Sequence, residues 1–475
     1  MNEFFKIDKR ITDASDNALK LCKKQFEYID EITEYNQQKV QKAFIDNRIS
    51  ESHFCTSTGY GYGDIGREAL DKVWAQVLGA ESAFAESTLG QLYKEDYEGE
   101  YRGGPAYYIE KGFGNTLFSK IYGITFAIVT LIAIGILLPG VQANSIAISV
   151  NNAFGLSVNI TAGILVVILA LIIFGGIKRI GSAAELIVPF MGGAYILMAL
   201  IIILVNITDL PGILVLIFKS AFGGEATFGG ILGSTIAWGV KRSVYSNEAG
   251  QGTGPQASSA AEVSHPAKQG FVQAFSVYVD TLFVCSATGF MIMMTGSYNT
   301  YYEGSEKVIV ENLPQLGIPD IGPAYTQHAV DTLIPGFGSA FVAVALFFFA
   351  FTTLMAYYYI AEVNLTYLVK KFNKGNSSET ATNILRFVIL FMTAYGCIKS
   401  AALAWAMGDL GVGLMAWLNL IAIALLSNIV IKCFKDYERQ MKLGIPRDEI
   451  TFDPTPLEIK NATFWEDRVA NSQNK

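Results

Sequence analysis

The chain has 475 residues, is 51% hydrophobic and 16% charged, and carries a formal net charge of −7. That length allows two or three soluble domains, but the acidic balance leaves no basic footprint for nucleic acid. The five cysteines (Cys22, Cys55, Cys285, Cys397, Cys433) form no C-x-x-C pair and the three histidines lie far apart, so neither a disulfide framework nor a zinc site is expected.

The first region, 1–82, reads as a soluble polar segment. Residues 1–81 hold 11 basic and 14 acidic side chains, a density suited to water and unsuited to lipid. Its opening, "MNEFFKIDKR", lacks the apolar core of a cleaved targeting peptide. "GYGDIG", Gly61 to Gly66, fits the G-x-G-x-x-G pattern of a dinucleotide loop. That loop needs a buried strand before it and a βαβ unit after it. Here polar "NRISESHFCTST" precedes it and one amphipathic helix, "REALDKVWAQVLGA", follows. The nucleotide reading is rejected.

Residues 83–118 read as a cytoplasmic loop with an amphipathic lead-in, and 119–435 as a transmembrane domain. Apolar runs near 20 residues recur at about 119–138, 158–177, 185–206, 270–295, 337–362, 384–406 and 411–431, long enough to cross the hydrocarbon layer as helices. An eighth element, 211–240, is interrupted by "GGEATFGG". Broken backbone in a bilayer is tolerated only against protein or a wet cavity, and such a break points to a transporter site. Lys178, Arg179, Lys241, Arg242, Lys268, Lys370, Lys371, Lys432 and Lys435 gather on one set of loops. The opposite loops hold mainly Lys307 among acids. The positive-inside rule then places both termini in the cytoplasm. Lys219 and Lys399 fit this scheme poorly. The tail, 436–475, is expected to be cytoplasmic, with 444–475 an exposed extension.

"GVKRSVYSNEAGQGTGPQASSAAEVSHPAKQG", 239–270, with "VDTLFVCSATG", "AESTLGQLYK", "YRGGPAYYIEKGFG" and "LPGVQANSIA", resembles the alanine or glycine:cation symporter family over about 83–435. Ser243 stands where the family usually has glycine, and "GTGP" where "GSAP" is usual. The resemblance implies an all-α, polytopic, leucine-transporter-like fold of two inverted five-helix repeats. It also implies sodium-coupled import of alanine or glycine across the inner membrane, with no cofactor beyond the coupling ion. In that fold the first and sixth helices are broken, and 211–240 resembles the sixth.

The break puts Thr227, Phe228, Gly229 and Gly230 forward as substrate contacts, since freed amides and carbonyls can meet a zwitterion. Gln142 and Asn144 could face the same cavity; the alternative is that they are interhelical hydrogen bonds. Thr352 and Thr353, in "FAFTTLMAYYY", match the span whose hydroxyls bind sodium in this fold. Their alternative is bonding back to their own helix carbonyls. Asp280 is the one acid well inside a clear span and reads as a gate or tether more than an ion ligand. Ser246, Asn247 and Glu248 read as a gate or loop anchor, with Ser246 or Asn247 capping a short helix that opens near Glu248.

Family members carry two further helices before "AESTLGQLYK", so the first repeat keeps three of five helices and about eight spans remain. In their place, residues 37–81 resemble the N-terminal segment of aluminium-resistance proteins, pyridoxal-phosphate enzymes related to cystathionine lyases. Tyr60, Tyr62 and Arg67 match a loop that helps hold the cofactor phosphate there. The lysine-bearing domain of such enzymes is not found, so no cofactor and no lyase activity are expected. A sodium-coupled symporter, an inactive transporter remnant and a lyase fragment are therefore the three readings, the first being preferred.

Overall fold

The computed structural model describes residues 80–97, 99–175, 177–222, 242–301, 308–314, 322–372 and 379–473. The chain divides between Leu78 and Gly79, and all described residues belong to the second unit. The substrate candidates Thr227, Phe228, Gly229 and Gly230 lie outside the described residues, as do Tyr60, Tyr62 and Arg67.

Helix α1 (Ala80–Leu92) leads into a short antiparallel hairpin, β1 (Glu95–Tyr97) and β2 (Glu100–Arg102), and then α2 (Pro105–Gly112). Next come α3 (Leu117–Ile132), a wide helical turn over Ala133–Leu137, and α4 (Pro139–Phe154). Thr116 starts α3 by accepting from the Ser119 amide at 3.2 Å. Pro139 restarts regular helix where its missing N–H costs least, and Gly155, at φ +65°, ends it. Leu117–Phe154 is thus one apolar stretch of 38 residues, not a span ending at 138. The turn and proline keep the chain helical where a hydropathy window loses it.

Helices α5 (Val158–Ile173), α6 (Ile177–Val205, with Pro189 inside) and α7 (Leu210–Phe222) follow. After a helical turn at 242–247 come α8 (Gly254–Ala260) and α9 (Pro266–Tyr278). Another wide turn, Val279–Cys285, joins α9 to α10 (Ser286–Met294). Strands β3 (Asn299–Tyr301) and β4 (Val308–Glu311) pair, and α11 (Ala324–Asp331) precedes α12 (Gly338–Phe372). Helices α13 (Glu379–Ile398), α14 (Ala401–Lys442) and α15 (Thr463–Gln473) complete the order. The expected span 384–406 is cut in two at Lys399–Ser400, because Ser400 caps α14 by accepting from the Leu403 amide.

Among the described residues, six helical stretches are long and apolar enough to cross a membrane: Leu117–Phe154, Ile187–Val205, Pro266–Met294, Gly338–Phe372, Glu379–Ile398 and Ala401–Lys442. One large core joins α1 to α5 with α12, α13 and α14. A smaller one joins α6, α10, α11 and the start of α12.

The tail is not an exposed extension. Ile450, Phe452, Ile459 and Trp465 are all buried, and the Trp465 indole donates to the Gln91 carbonyl at 3.0 Å. Apolar side chains spaced through a polar sequence here find partners far upstream, Trp465 at Gln91, Phe452 at His265 and Ile450 at Ala267.

Candidate functional site

The conspicuous motif forms a knot rather than a cap. Residues 242–247 make one helical turn, and Ser246 and Asn247 lie at its end. The Ser246 hydroxyl donates to Asp280 Oδ2 at 2.7 Å. The Asn247 amide donates to Ser243 Oγ at 3.0 Å and reaches Thr281 Oγ1 at 3.5 Å. Asn247 Oδ1 accepts from the Ala249 amide. No helix opens near Glu248; the next begins at Gly254, so the capping expectation is corrected. The reason is the backbone: Glu248, Gly250 and Gly252 have φ of 56°, 79° and 91°, and left-handed residues fold a chain back instead of winding it. The Thr253 hydroxyl closes the turn on Glu248 Oε2 at 2.6 Å. Through this bond Asp280 joins the wide turn to the knot.

The knot closes on a carboxylate of α1. Glu86 is 2% exposed. One oxygen accepts from the Gly250 amide at 3.2 Å. The other accepts from the Gly252 amide at 3.2 Å and from Asn419 Nδ2 of α14 at 2.7 Å. Asn419 also donates to the Gly250 carbonyl and accepts from the Tyr108 hydroxyl of α2. Burial pushes the Glu86 carboxyl up to about 8, against the pull of these three donors. A side chain at Gly252 would collide with Phe126 at 2.8 Å and with Asn419 and Pro105 at 3.1 Å, so the loop can approach only as glycine.

At membrane depth, α4 lies between α12 and α13. Gln142 reaches the Tyr357 hydroxyl at 3.5 Å, and Tyr357 is one helical turn from Thr353. Asn144 faces the other neighbour: it donates to the Gly396 and Lys399 carbonyls at 3.3 and 2.6 Å, satisfying the open end of α13. The Thr352 hydroxyl bonds to the Phe348 and Phe349 carbonyls, and that of Thr353 to Phe349. Their second lone pairs are what a cation would use. Gln142 and Thr353 are therefore brought to one helix crossing, while Asn144 faces the end of α13. Arg242, assigned above to a lysine-rich loop, pairs instead with Asp409 at 3.5 Å and lies 4.5 Å over the Trp405 ring. Those partners sit near the start of α14, far from Lys432 and Lys435.

Glu86, Tyr108 and Asn419 escaped the reading by residue type. Asn419 carried a usable signal, a lone amide in "AWLNLIAIAL", where polar groups serve as glue or site.

A sequence profile described as the sodium:alanine symporter family matches residues 72–451. The chain belongs to that family. Its members are carriers rather than enzymes, and the chain is a multi-pass membrane protein. It is 54% identical to a putative sodium/proton-dependent alanine carrier protein of Bacillus subtilis, over 88% of this chain and 83% of the relative. It is 48% identical to the sodium/proton-dependent alanine carrier protein of Bacillus sp. strain PS3, over 88% and 91%. The sodium/alanine symporter of Methanococcus maripaludis is 35% identical over 81% and 80%. A second profile, methionine gamma-lyase, matches residues 11–90, in keeping with the resemblance seen around "GYGYGDIG". The two matches overlap at 72–90, where α1 begins.

Proposed function

We propose that this chain is a sodium-coupled symporter that carries alanine, with glycine as the next candidate, across the inner membrane by alternating access. The observation that carries the reading is the family match over 72–451, with relatives named for sodium and alanine. Geometry adds support at the α4–α12 crossing. Gln142, Tyr357 and Thr353 there supply an amide and hydroxyls without a full charge, the donor set that suits sodium and a small zwitterion. Thr352 and Thr353 are assigned to sodium. Thr227, Phe228, Gly229, Gly230 and Gln142 are assigned to the amino acid, with Asn144 ordering the helix end beside it. Ser246, Asn247, Glu248 and Asp280 form the gate-side tether. Both termini face the cytoplasm.

The test is uptake of labelled alanine in cells lacking their own alanine carriers. Uptake that collapses with the sodium gradient supports the reading. Uptake that survives in sodium-free buffer under an inward proton gradient reassigns the coupling ion. Protein present in the membrane with no uptake above control overturns the reading. A second reading, a transport-inactive remnant, draws on the methionine gamma-lyase match over 11–90. A version with the family's first two helices restored from a relative separates the two, since only that version transports if the remnant reading holds.

A further inference from the structure

The Glu86 cluster has more hydrogen bonds and more buried polar atoms than holding two helices together requires. Four chain segments meet there: α1, the 250–252 loop, α2 and α14. Glu86, Gln251, Thr253 and Asn419 are each 2% exposed or less. A buried carboxyl group is costly unless its oxygens are hydrogen-bonded, and removing the donors leaves those oxygens unsatisfied. Here the donors come from two chain segments. Two are backbone amides of one loop, and the third is an amide on α14. Three bonds on one carboxylate form and part together. The same loop is tied through Ser246 to Asp280, inside the wide turn Val279–Cys285, and such wide turns recur at functional sites. Asn419 bridges Glu86 and the Gly250 carbonyl, so withdrawing the loop also uncouples α14.

We propose that Glu86 is a positioning residue of the transport cycle: its carboxylate latches the 250–252 loop to α14, and the cycle breaks and remakes that latch as one side of the carrier opens. This rests on the symporter reading for its purpose, but not for its test. Glu248 and the Tyr108 hydroxyl are the titratable groups beside Glu86; α14 contributes neutral Asn419.

The experiment uses the full chain in proteoliposomes, with native cysteines replaced and one reporter, Ala422→Cys. Ala422 is fully buried on α14, one turn beyond Asn419. The readouts are the rate of maleimide labelling, and KM and Vmax for alanine exchange. Asn419→Asp removes the amide donor to Glu86 and sets a second acidic side chain against it, which opens the latch. Labelling is expected to quicken about tenfold, with Vmax down and KM within about twofold. The double variant E86Q/N419D restores one carboxylate and one amide, and should return labelling toward the parent rate. A structural role alone would lower the amount of folded protein without a labelling change that the double variant reverses. Should N419D fail to reach the membrane, E86Q decides alone: labelling about threefold faster supports the latch, and the parent rate overturns it. A double variant no better than N419D also overturns it. If the parent chain transports no alanine, the symporter reading fails while the labelling comparison still decides the latch.

Discussion

Two regions of this molecule hold helices together by opposite means. Where α4 crosses α13, the contact is backbone on backbone. A Cβ built on Gly396 would lie 2.4 Å from Gly140 Cα and 2.8 Å from its carbonyl oxygen. Asn144 and Cys397 add bonds to carbonyls across the same crossing. At the face built from α1, the β1–β2 hairpin and the tail, contact is made by charge and aromatic rings. Lys94 is fully buried, donates to the Ala261 carbonyl at 3.0 Å and lies 4.1 Å from the Tyr101 ring centre and 4.6 Å from that of Phe464. Burial pulls its ammonium down to about 8. Glu95 pairs with Lys111 at 3.0 Å and Lys370 at 3.2 Å. The difference follows the solvent. In lipid there is no hydrophobic gain from pairing apolar helices, so small residues and close approach do the work. In water, burying rings and alkyl stems does it, and the polar ends must find partners.

The comparison breaks hardest at Gly396. Gly396→Leu has no flexible side chain to displace, only the Gly140 backbone, so the cost is expected at about 3 kcal/mol or more. The fraction of monodisperse protein after detergent extraction and its melting midpoint measure this. A midpoint equal to the parent's would show that the crossing is not held by close approach. The water-side counterpart is Trp465→Ala. It removes a side chain 1% exposed and its bond to Gln91, worth about 3 kcal/mol by large-to-small precedent, but the loss is confined to the tail. Protease cleavage between 444 and 471 should quicken while the helical body keeps its midpoint. Equal cleavage rates would refute the docking.

The same contrast explains what could be read in advance. Apolar runs announced the spans because lipid imposes composition directly. The cut at Lys399–Ser400 stayed hidden, since apolar residues flank the two-residue turn on both sides. The awkward position of Lys399 was its only trace. The docking of the tail is hidden in the sequence because Ile450, Phe452 and Trp465 are diluted among charges, and their partners Ala267, His265 and Gln91 are distant in sequence. Asn144 offered two roles, and only the position of the α13 end separates them. Of the knot, the glycines and Glu248 were visible as a motif. Its donors are backbone amides, which every residue but proline carries, so residue types could not reveal that they converge on Glu86.

The finest probe of the water-side logic is His265, which joins the start of α9 to α14 and the tail. It is fully buried, with Phe452 and Tyr437 rings edge-on at 4.9 and 5.2 Å. Its Nδ1 accepts from the Ala267 amide at 3.1 Å, and its Nε2 lies 3.3 Å from Asp436 Oδ2. That set is satisfied by the neutral ring with its proton on Nε2; a second proton would face the Ala267 N–H. Burial accordingly holds the imidazole below its ordinary 6.5, outweighing the pull of Asp436. The folded protein therefore binds this proton less readily than the unfolded chain. The stability it contributes is complete above the ordinary value of 6.5 and is lost as pH falls below it, by at most about 1.4 kcal/mol per pH unit for one proton. Asparagine can still cap the helix with its side-chain oxygen, but it does not titrate. Melting midpoints taken at about pH 7 and about pH 5.5 should fall less in His265→Asn than in the parent. Equal falls would mean that the acid sensitivity of this face lies in its carboxylates, and that its aromatic packing alone, without a neutral imidazole, holds the tail in place.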